Sequence, residues 1–435
     1  MALTPGRGTE RRVRAPIFYG WVQVWVTLVA GAFTSGAGFW AFTLFVTPMG
    51  DDLGWSRPEL YGAMTVRALG NAALAPFMGP LQDSRLGPRF FAVGTAVTMA
   101  ASMVLMKWVD DLLLFYVVFG LIGSLANFGS SEMMLSVVLP RWFVRQRGRA
   151  LGIGSMGTAL GPLLFPFIVT GLLSVFHWRD AWVALGVITL VVLGPISLLV
   201  RSRPEDMALT PDGDPAGRPS TAPAVNTPSE HDFTRSEAVR LQAFWLIVFA
   251  ASLTTLGTNG FHANWLPFFQ DEGFSAAEGS LAATIYGICS VTTRVFWGWG
   301  AERVSLRHLM ALQAVLTALS VLAFLLIDSR LVLVLAAAFN GLALGGIFIM
   351  RPMIVATYFG REHLGALNGL MRPFMTAASA FSPLIVAWIF DARGSYDLVL
   401  WLLGGCWLLA ALTVFIARQP KRARPRLVPA ADTVS

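Results

Sequence analysis

GPLQDSRLGPR, from Gly79 to Arg89, and GWGAERVSLRH, from Gly298 to His308, share one pattern. Each has a glycine, an acid four positions on, and then basic residues, and the two glycines are 219 residues apart. Each stretch also follows a long apolar run. A second echo joins RWFVRQRGRALGIG (141–154) to TYFGREHLGALNG (357–369), at an offset near 216. A pattern that returns halfway along a chain marks two copies of one structural template.

The solvent of that template is lipid. The chain has 435 residues, 55% of them hydrophobic and only 13% charged, with a mean hydropathy of +0.63, whereas soluble domains carry about 25% charge. Apolar runs near 20 residues long read as membrane-crossing helices. They fall at 19–48, 57–82, 90–109, 112–139, 149–174 and 181–200, then at 241–269, 275–300, 308–327, 331–358, 364–390 and 398–417. The first is too long for a signal peptide. The expected fold class is an all-α integral membrane protein with twelve transmembrane helices in two pseudo-symmetric six-helix bundles. Residues 203–236 are rich in Pro, Ala, Asp, Ser and Thr, which is linker composition. The expected division is a first bundle at 1–202, a cytoplasmic linker at 203–236, a second bundle at 237–418 and a cytoplasmic tail at 419–435.

The basic residues orient the chain. With the N-terminus inside, 23 of the 32 fall on the inner side, and only Arg57, Lys107, Arg179, Arg330 and Arg393 on the outer side. Both termini then face the cytoplasm. Because these residues lie between apolar runs, they form no basic surface for nucleic acid. Cys289 and Cys406 lie inside apolar segments, which supports neither a disulfide framework nor a metal site. There is no HExxH, GxSxG or nucleotide-binding loop. An enzyme is not expected, nor are a cofactor, a metal or a nucleic-acid partner. The partners are a small-molecule anion, the bilayer and protons, and the chain is expected to be a monomer. Arginine-heavy, lysine-poor composition points to a GC-rich bacterial genome, hence a bacterial plasma (inner) membrane.

Four arginines and an acid remain within the spans. A charge at the bilayer centre costs about 2.5–3.5 kcal/mol on insertion scales, so each needs a reason. Arg294 precedes Glu302 by 8 residues and Arg351 precedes Phe359 by 8, which puts both roughly 12 Å into the membrane at 1.5 Å per residue. Arg372 and Glu132 lie at a similar depth, and Arg67 higher. Four cations against one acid call for an anionic substrate, because a carboxylate accepts paired N–H donors from guanidinium. The plainer role for each arginine is a tie to a helix-end carbonyl or a neighbouring span. Adding the repeat offset to Glu132 gives Arg351, so these two form a candidate pair, acting as a switch or with Glu132 as proton carrier. Tyr286 and Ser290 precede Arg294 at four-residue intervals and share its helix face. Asn127 and Asn340 suit hydrogen bonds to a carboxylate or between helices. His262 titrates near neutral pH or is structural.

The paired Gly-x-x-x-acid loops resemble the signature loop of the major facilitator superfamily. The first copy departs from it at Ser84 and Gly87, and the second has Glu302 for Asp and Ser305 for Gly. GIGSMGTALGP, ending in Gly157-x-x-x-Gly161-Pro162, resembles the helix 5 motif of that superfamily's antiporters. More narrowly, FYGW (18–21), RWFVRQRGRALGIGSMG (141–157), RPEDMALTPDG (203–213) and YFGREHLGALNG (358–369) resemble the bacterial branch of the monocarboxylate and oxalate/formate transporter group. That resemblance implies a substrate-binding arginine four residues before the second loop's glycine, and Arg294 and Gly298 fit. Ser290 stands where animal monocarboxylate carriers have an aspartate, so coupling by that aspartate is not implied. Asp83 is expected at the N-terminus of span 11 and Glu302 at that of span 5, where the dipole favours an anion. Arg85, Arg89 and Arg303 would bind acids or helix-end carbonyls, and Gly157, Gly161 and Pro162 would let helix 5 pack closely as the gate moves. The reading is a secondary active transporter of small organic anions, monocarboxylates first, by alternating access with proton symport or anion exchange. Multidrug or metabolite efflux is the alternative.

Overall fold

The computed structural model describes residues 18–213 and 232–420. The four arginines expected in the N-terminal tail, the middle of the 203–236 linker and most of the basic C-terminal tail lie outside the described residues. Twelve helical segments occupy the twelve expected spans. In the first half these are α1 (Tyr19–Leu53), α2 (Arg57–Gln82), α3 (Gly87–Trp108), α4 (Leu112–Leu125, resuming at 131–142), α5 (Arg147–Leu173) and α6 (Trp178–Leu198). In the second half they are α7 (Gln242–Ala263, then Trp265–Asp271), α8 (Ala276–Ala301), α9 (Leu306–Leu326), α10 (Arg330–Phe359), α11 (Leu364–Arg393) and α12 (Asp397–Ile416). Nine are long and apolar enough to cross a membrane by composition among the described residues. The exceptions are α2 and α8, which carry more polar residues, and the interrupted α4.

The repeat is visible in local chemistry. Ser56 and Glu59 form a capping box that starts α2, and Ser275 and Glu278 form one that starts α8, again 219 residues on. Each satisfies otherwise orphaned N–H groups at a helix start. α4 breaks at 126–130, and α10 breaks at Gly345 and Gly346, the equivalent place. Bare backbone inside a membrane must be satisfied by protein. Thr95 does this for α4: its Oγ1 donates to the Ala126 carbonyl (2.7 Å) and accepts from Gly129 N (2.9 Å). The Gln82 amide donates to the Phe128 carbonyl at 2.6 Å.

Close contact between the halves joins the inner parts of α2 to α11 and of α5 to α8. Glycines permit it. A Cβ on Gly148 would collide with the Gly298 carbonyl, and one on Gly79 with the Gly365 carbonyl. Gly157 and Gly161, expected to let helix 5 pack closely, do so against α1 within the first half, where Leu28, Ser35 and Gly36 leave no room for a side chain. Helix depth was readable from the sequence, but the direction a glycine faces was not. The linker ends are clipped down as well. Asp212 accepts from the N–H groups of Val144 (3.1 Å), Arg145 (2.9 Å) and Gln146 (3.2 Å), and Asp232 accepts from those of Arg361 and Glu362.

Gly148→Leu or Gly365→Leu is expected to wedge the inner seam open. Amide hydrogen exchange in the first turns of α5 and α11 should speed up by about tenfold or more, the equivalent of about 1.4 kcal/mol of local opening. Unchanged exchange in both variants would show that the seam tolerates side chains there.

Candidate functional site

A cavity of about 380 Å³ lies between the halves, walled by α2 and α4 on one side and by α7, α10 and α11 on the other. Its charged wall residues are Glu132, Arg351 and Arg372. Glu132 stands in the first turn after the α4 break, where exposed N–H groups favour an anion. Its two oxygens are shared. Oε1 lies 3.1 Å from Nη2 of Arg351, and Oε2 pairs with Nη2 of Arg372. Arg372 Nη1 also donates to the Asn71 side-chain oxygen at 2.6 Å. Arg351 Nη1 donates one weak, long bond to the Met375 sulfur at 4.0 Å, which leaves its second N–H as donor capacity toward the cavity. Two guanidinium groups against one carboxylate leave the wall at +1. Asn127 completes the set of sequence candidates found there.

The other candidates lie elsewhere. Arg294 is 4% exposed, in the seam, with Nη1 donating to the Ser155 carbonyl and to Thr158 Oγ1 at 3.0 Å. Its guanidinium stacks over Phe348 at 4.3 Å, and its Nε has no hydrogen-bond partner among the described residues. Arg294 therefore ties α8 to α5 and is not in the cavity wall. Arg67 donates to the Gly38 carbonyl at 2.6 Å, in the π-helical turn of α1. Tyr286, Ser290, Asn340 and His262 belong to the interior of the second half. His262 Nδ1 donates to the Thr258 carbonyl at 2.8 Å, so the ring carries that proton. The ring stacks on Trp265 and lies 4.7 Å from the Tyr286 ring. Asn340 donates to Ser320 Oγ at 2.9 Å, and Ser290 is buried. Counting residues along a helix fixes height and leaves azimuth open, which is why these residues read as wall positions.

Charged residues cross-link the halves at the end of the cavity where α5 and α11 begin. Asp83 accepts from the N–H groups of Gly365 and Ala366, both at 2.8 Å, at the N-terminus of α11, and pairs with Arg141 at 2.6 Å. Glu302 does the same at α5, accepting from Arg149 N and Arg149 Nε, both at 2.9 Å. Arg141 and Arg361 then cross-tie the halves, each donating to the other's carbonyl (2.9 and 3.1 Å). Burial pushes the carboxyls of Asp83 and Glu302 above the ordinary carboxylate range, against the pull of these N–H donors and arginines.

Arg141 and Arg149 were missed as site residues, although both lie in the RWFVRQRGRA stretch quoted above. Arg303 binds a helix-end carbonyl, that of Trp299, at 3.2 Å. Neither Arg85 nor Arg89 pairs with an acid among the described residues. Pro162 lies within α5 beside the α1 contact. No group of three His, Cys, Asp or Glu is placed to hold a metal among the described residues.

Two repeated six-helix halves around a charged cavity sealed at one end define a secondary transporter. The family model of the Major Facilitator Superfamily matches residues 28–275 and 270–434, and the chain belongs to that superfamily. It is a transporter and not an enzyme. It is similar to the oxalate:formate antiporter of Oxalobacter formigenes, 24% identical over 401 residues, covering 91% of this chain and 89% of that protein. It is also similar to monocarboxylate transporter 11 of Homo sapiens, 26% identical over 353 residues, covering 78% of this chain and 70% of that one. Among solved structures, a bacterial homologue of the iron transporter ferroportin in its outward-facing state matches with a TM-score of 0.71 at 14% identity, over 91% of this chain and 98% of that one. That likeness is one of fold.

Asp83→Asn should release the inner seal, since removing one partner of a buried pair leaves the other uncompensated, at a cost of roughly 3–5 kcal/mol. A cysteine at cavity residue Ser136, with the native cysteines replaced, should then react faster with a thiol reagent added from the cytoplasmic side. Equal labelling rates in the two proteins would remove Asp83 from the seal.

Proposed function

We propose that the protein carries small organic anions, monocarboxylates first, by alternating access. It would act as a monomer in a bacterial plasma membrane with both termini in the cytoplasm. The two six-helix halves would rock about the cavity, and the Asp83 and Glu302 seals would form when it opens outward and break when it opens inward. The observation that carries this reading is the Glu132 carboxylate held by Arg351 and Arg372. The cavity holds a carboxylate in the manner a substrate acid would need, with unused N–H capacity on Arg351 and a net charge of +1. Paired guanidinium donors suit carboxylates by shape as well as by charge. The similarity to an oxalate:formate antiporter and to monocarboxylate transporters points to the same chemistry. Arg294 touches Phe348, which is one helical turn from Arg351 on α10. In this reading it positions α10 and holds α8 against α5.

Thermal-shift measurements on detergent-purified protein test the reading, with lactate, pyruvate, acetate, oxalate, succinate and several cationic drugs. A ligand at a hundred times its Kd stabilises the folded state by about 2.7 kcal/mol. A monocarboxylate is expected to raise Tm in wild type and to lose most of that effect in Arg351→Gln and Arg372→Gln. Arg294→Gln should weaken the shift only in part. If cationic compounds shift wild type and variants alike and no acid does, the carboxylate reading fails and efflux takes its place.

A further inference from the structure

Resting on that reading, we propose that Glu132 is a built-in stand-in for the substrate carboxylate, and that its protonation couples the entry of one monovalent acid anion to the entry of one proton. Glu132 is the acid of the cavity wall, and Arg351 and Arg372 are its cations; the other wall residues, including Asn71, Thr255 and Asn368, do not titrate. The groups of opposite charge that face it therefore come from α10 and α11 alone, and both are already bound to it, one oxygen each. A substrate carboxylate needs the same N–H donors. With the Glu132 side chain 48% exposed, water and a small anion both reach the pair from the cavity.

Competition between two carboxylates for one pair of arginines has a defined charge outcome. In the empty carrier, two guanidinium groups and ionised Glu132 give +1. A monoanion bound beside ionised Glu132 would bring the total to zero and place two like charges side by side, which disfavours both being ionised. When a proton from the outer water adds to a Glu132 oxygen, the neutral carboxyl gives up its arginines to the anion, and the total returns to +1. Loaded and empty carriers then cross with the same charge, so transport is electroneutral. At the inner face Glu132 loses the proton to the cytoplasm, takes back Arg351 and Arg372, and expels the substrate. A dianion would not balance with one proton, which sets the preferred substrate as a monovalent acid.

Glu132→Gln cannot ionise. It leaves the arginines free for the anion at every pH, and it leaves an empty carrier at +2 that returns poorly. It should bind lactate more tightly, retain lactate–lactate exchange, and lose net uptake.

The experiment uses purified wild type and E132Q in proteoliposomes with radiolabelled lactate. Net uptake is driven by a pH gradient with the potential clamped, then by potential alone, and counterflow is measured without either. Expected for wild type is uptake driven by the pH gradient and indifferent to potential. Expected for E132Q is a loss of gradient-driven uptake by about tenfold or more, with counterflow retained. Gradient-driven uptake that persists in E132Q overturns the proposal. So does loss of both activities in an E132Q protein that still binds lactate, because Glu132 would then be needed for movement itself. Should E132Q not fold, calorimetry of lactate binding to wild type in buffers of different ionisation heat reads the same claim. About one proton taken up per lactate is expected, and none overturns it. Wild type that neither binds nor moves any carboxylate sinks the organic-anion reading on which this proposal rests, a result distinct from either of these.

Discussion

One carboxylate holds two guanidinium groups inside a membrane, and most of the architecture follows from that constraint. Arg351 and Arg372 belong to the second half of the chain and Glu132 to the first. An unpaired cation at that depth is costly, so in this state the halves meet where the charges meet. The glycines at the seam let the backbones come within reach, and the break in α4 sets Glu132 in the first turn of the helix that resumes after it. The inner seals are the same kind of interaction moved to the water boundary, with a carboxylate on helix N–H groups and an arginine beside it.

Twelve spans and a repeat were legible because they rest on one-dimensional properties, apolar run length and recurrence at an offset. That offset also placed Glu132 opposite Arg351, a long-range contact inferred from arithmetic on sequence position. Asp83 and Glu302 were placed at the starts of α11 and α5 by the resemblance of their loops to the superfamily's signature loop, and the field of a helix start suits an anion there. Arg294 was not legible in the same way. Its depth was fixed, but rotation about the α8 axis decides between cavity and seam, and the outward-facing Ile288 and Phe296 do not tell one protein-facing side of the helix from the other. Which helix Gly157 and Gly161 pack against was open for the same reason. The capping boxes at Ser56 and Ser275 were readable, since Ser-x-x-Glu before an apolar run is a start signal, and their shared spacing would have strengthened the repeat. Arg141 and Arg149 were hidden by abundance, being two of four arginines within nine residues.

The seals differ in their partners while keeping one geometry. Asp83 takes its arginine from the far end of α4, whereas Glu302 takes both its amide and its arginine from Arg149 at the start of α5. Neither side chain can be swapped freely between halves, because the donors come from different elements. The linker adds a fixed point to each half: Asp212 holds the loop before α5, and Asp232 holds the loop before α11. What joins the halves through the chain is thus anchored next to the helix starts that the seals occupy.

Glu132 and Arg351 stand at equivalent positions of the two repeats, so the operation that maps one half onto the other turns an acid into a base. At that pair of positions the two halves carry opposite charge, and Arg372 adds a second cation on the side of the second half. A molecule entering the cavity meets a field directed across the membrane plane, from the arginines of the second half toward the first. Beside Glu132 the first half offers Phe128 and Met133 as apolar wall. Under the proposed function, a short acid with one charged end and one methyl end would lie parallel to the membrane, its carboxylate at the arginines and its tail toward α4. Handedness at the carbon between those ends is then presented to fixed walls, so a protein assembled from two copies of one template acquires the means to tell mirror-image substrates apart.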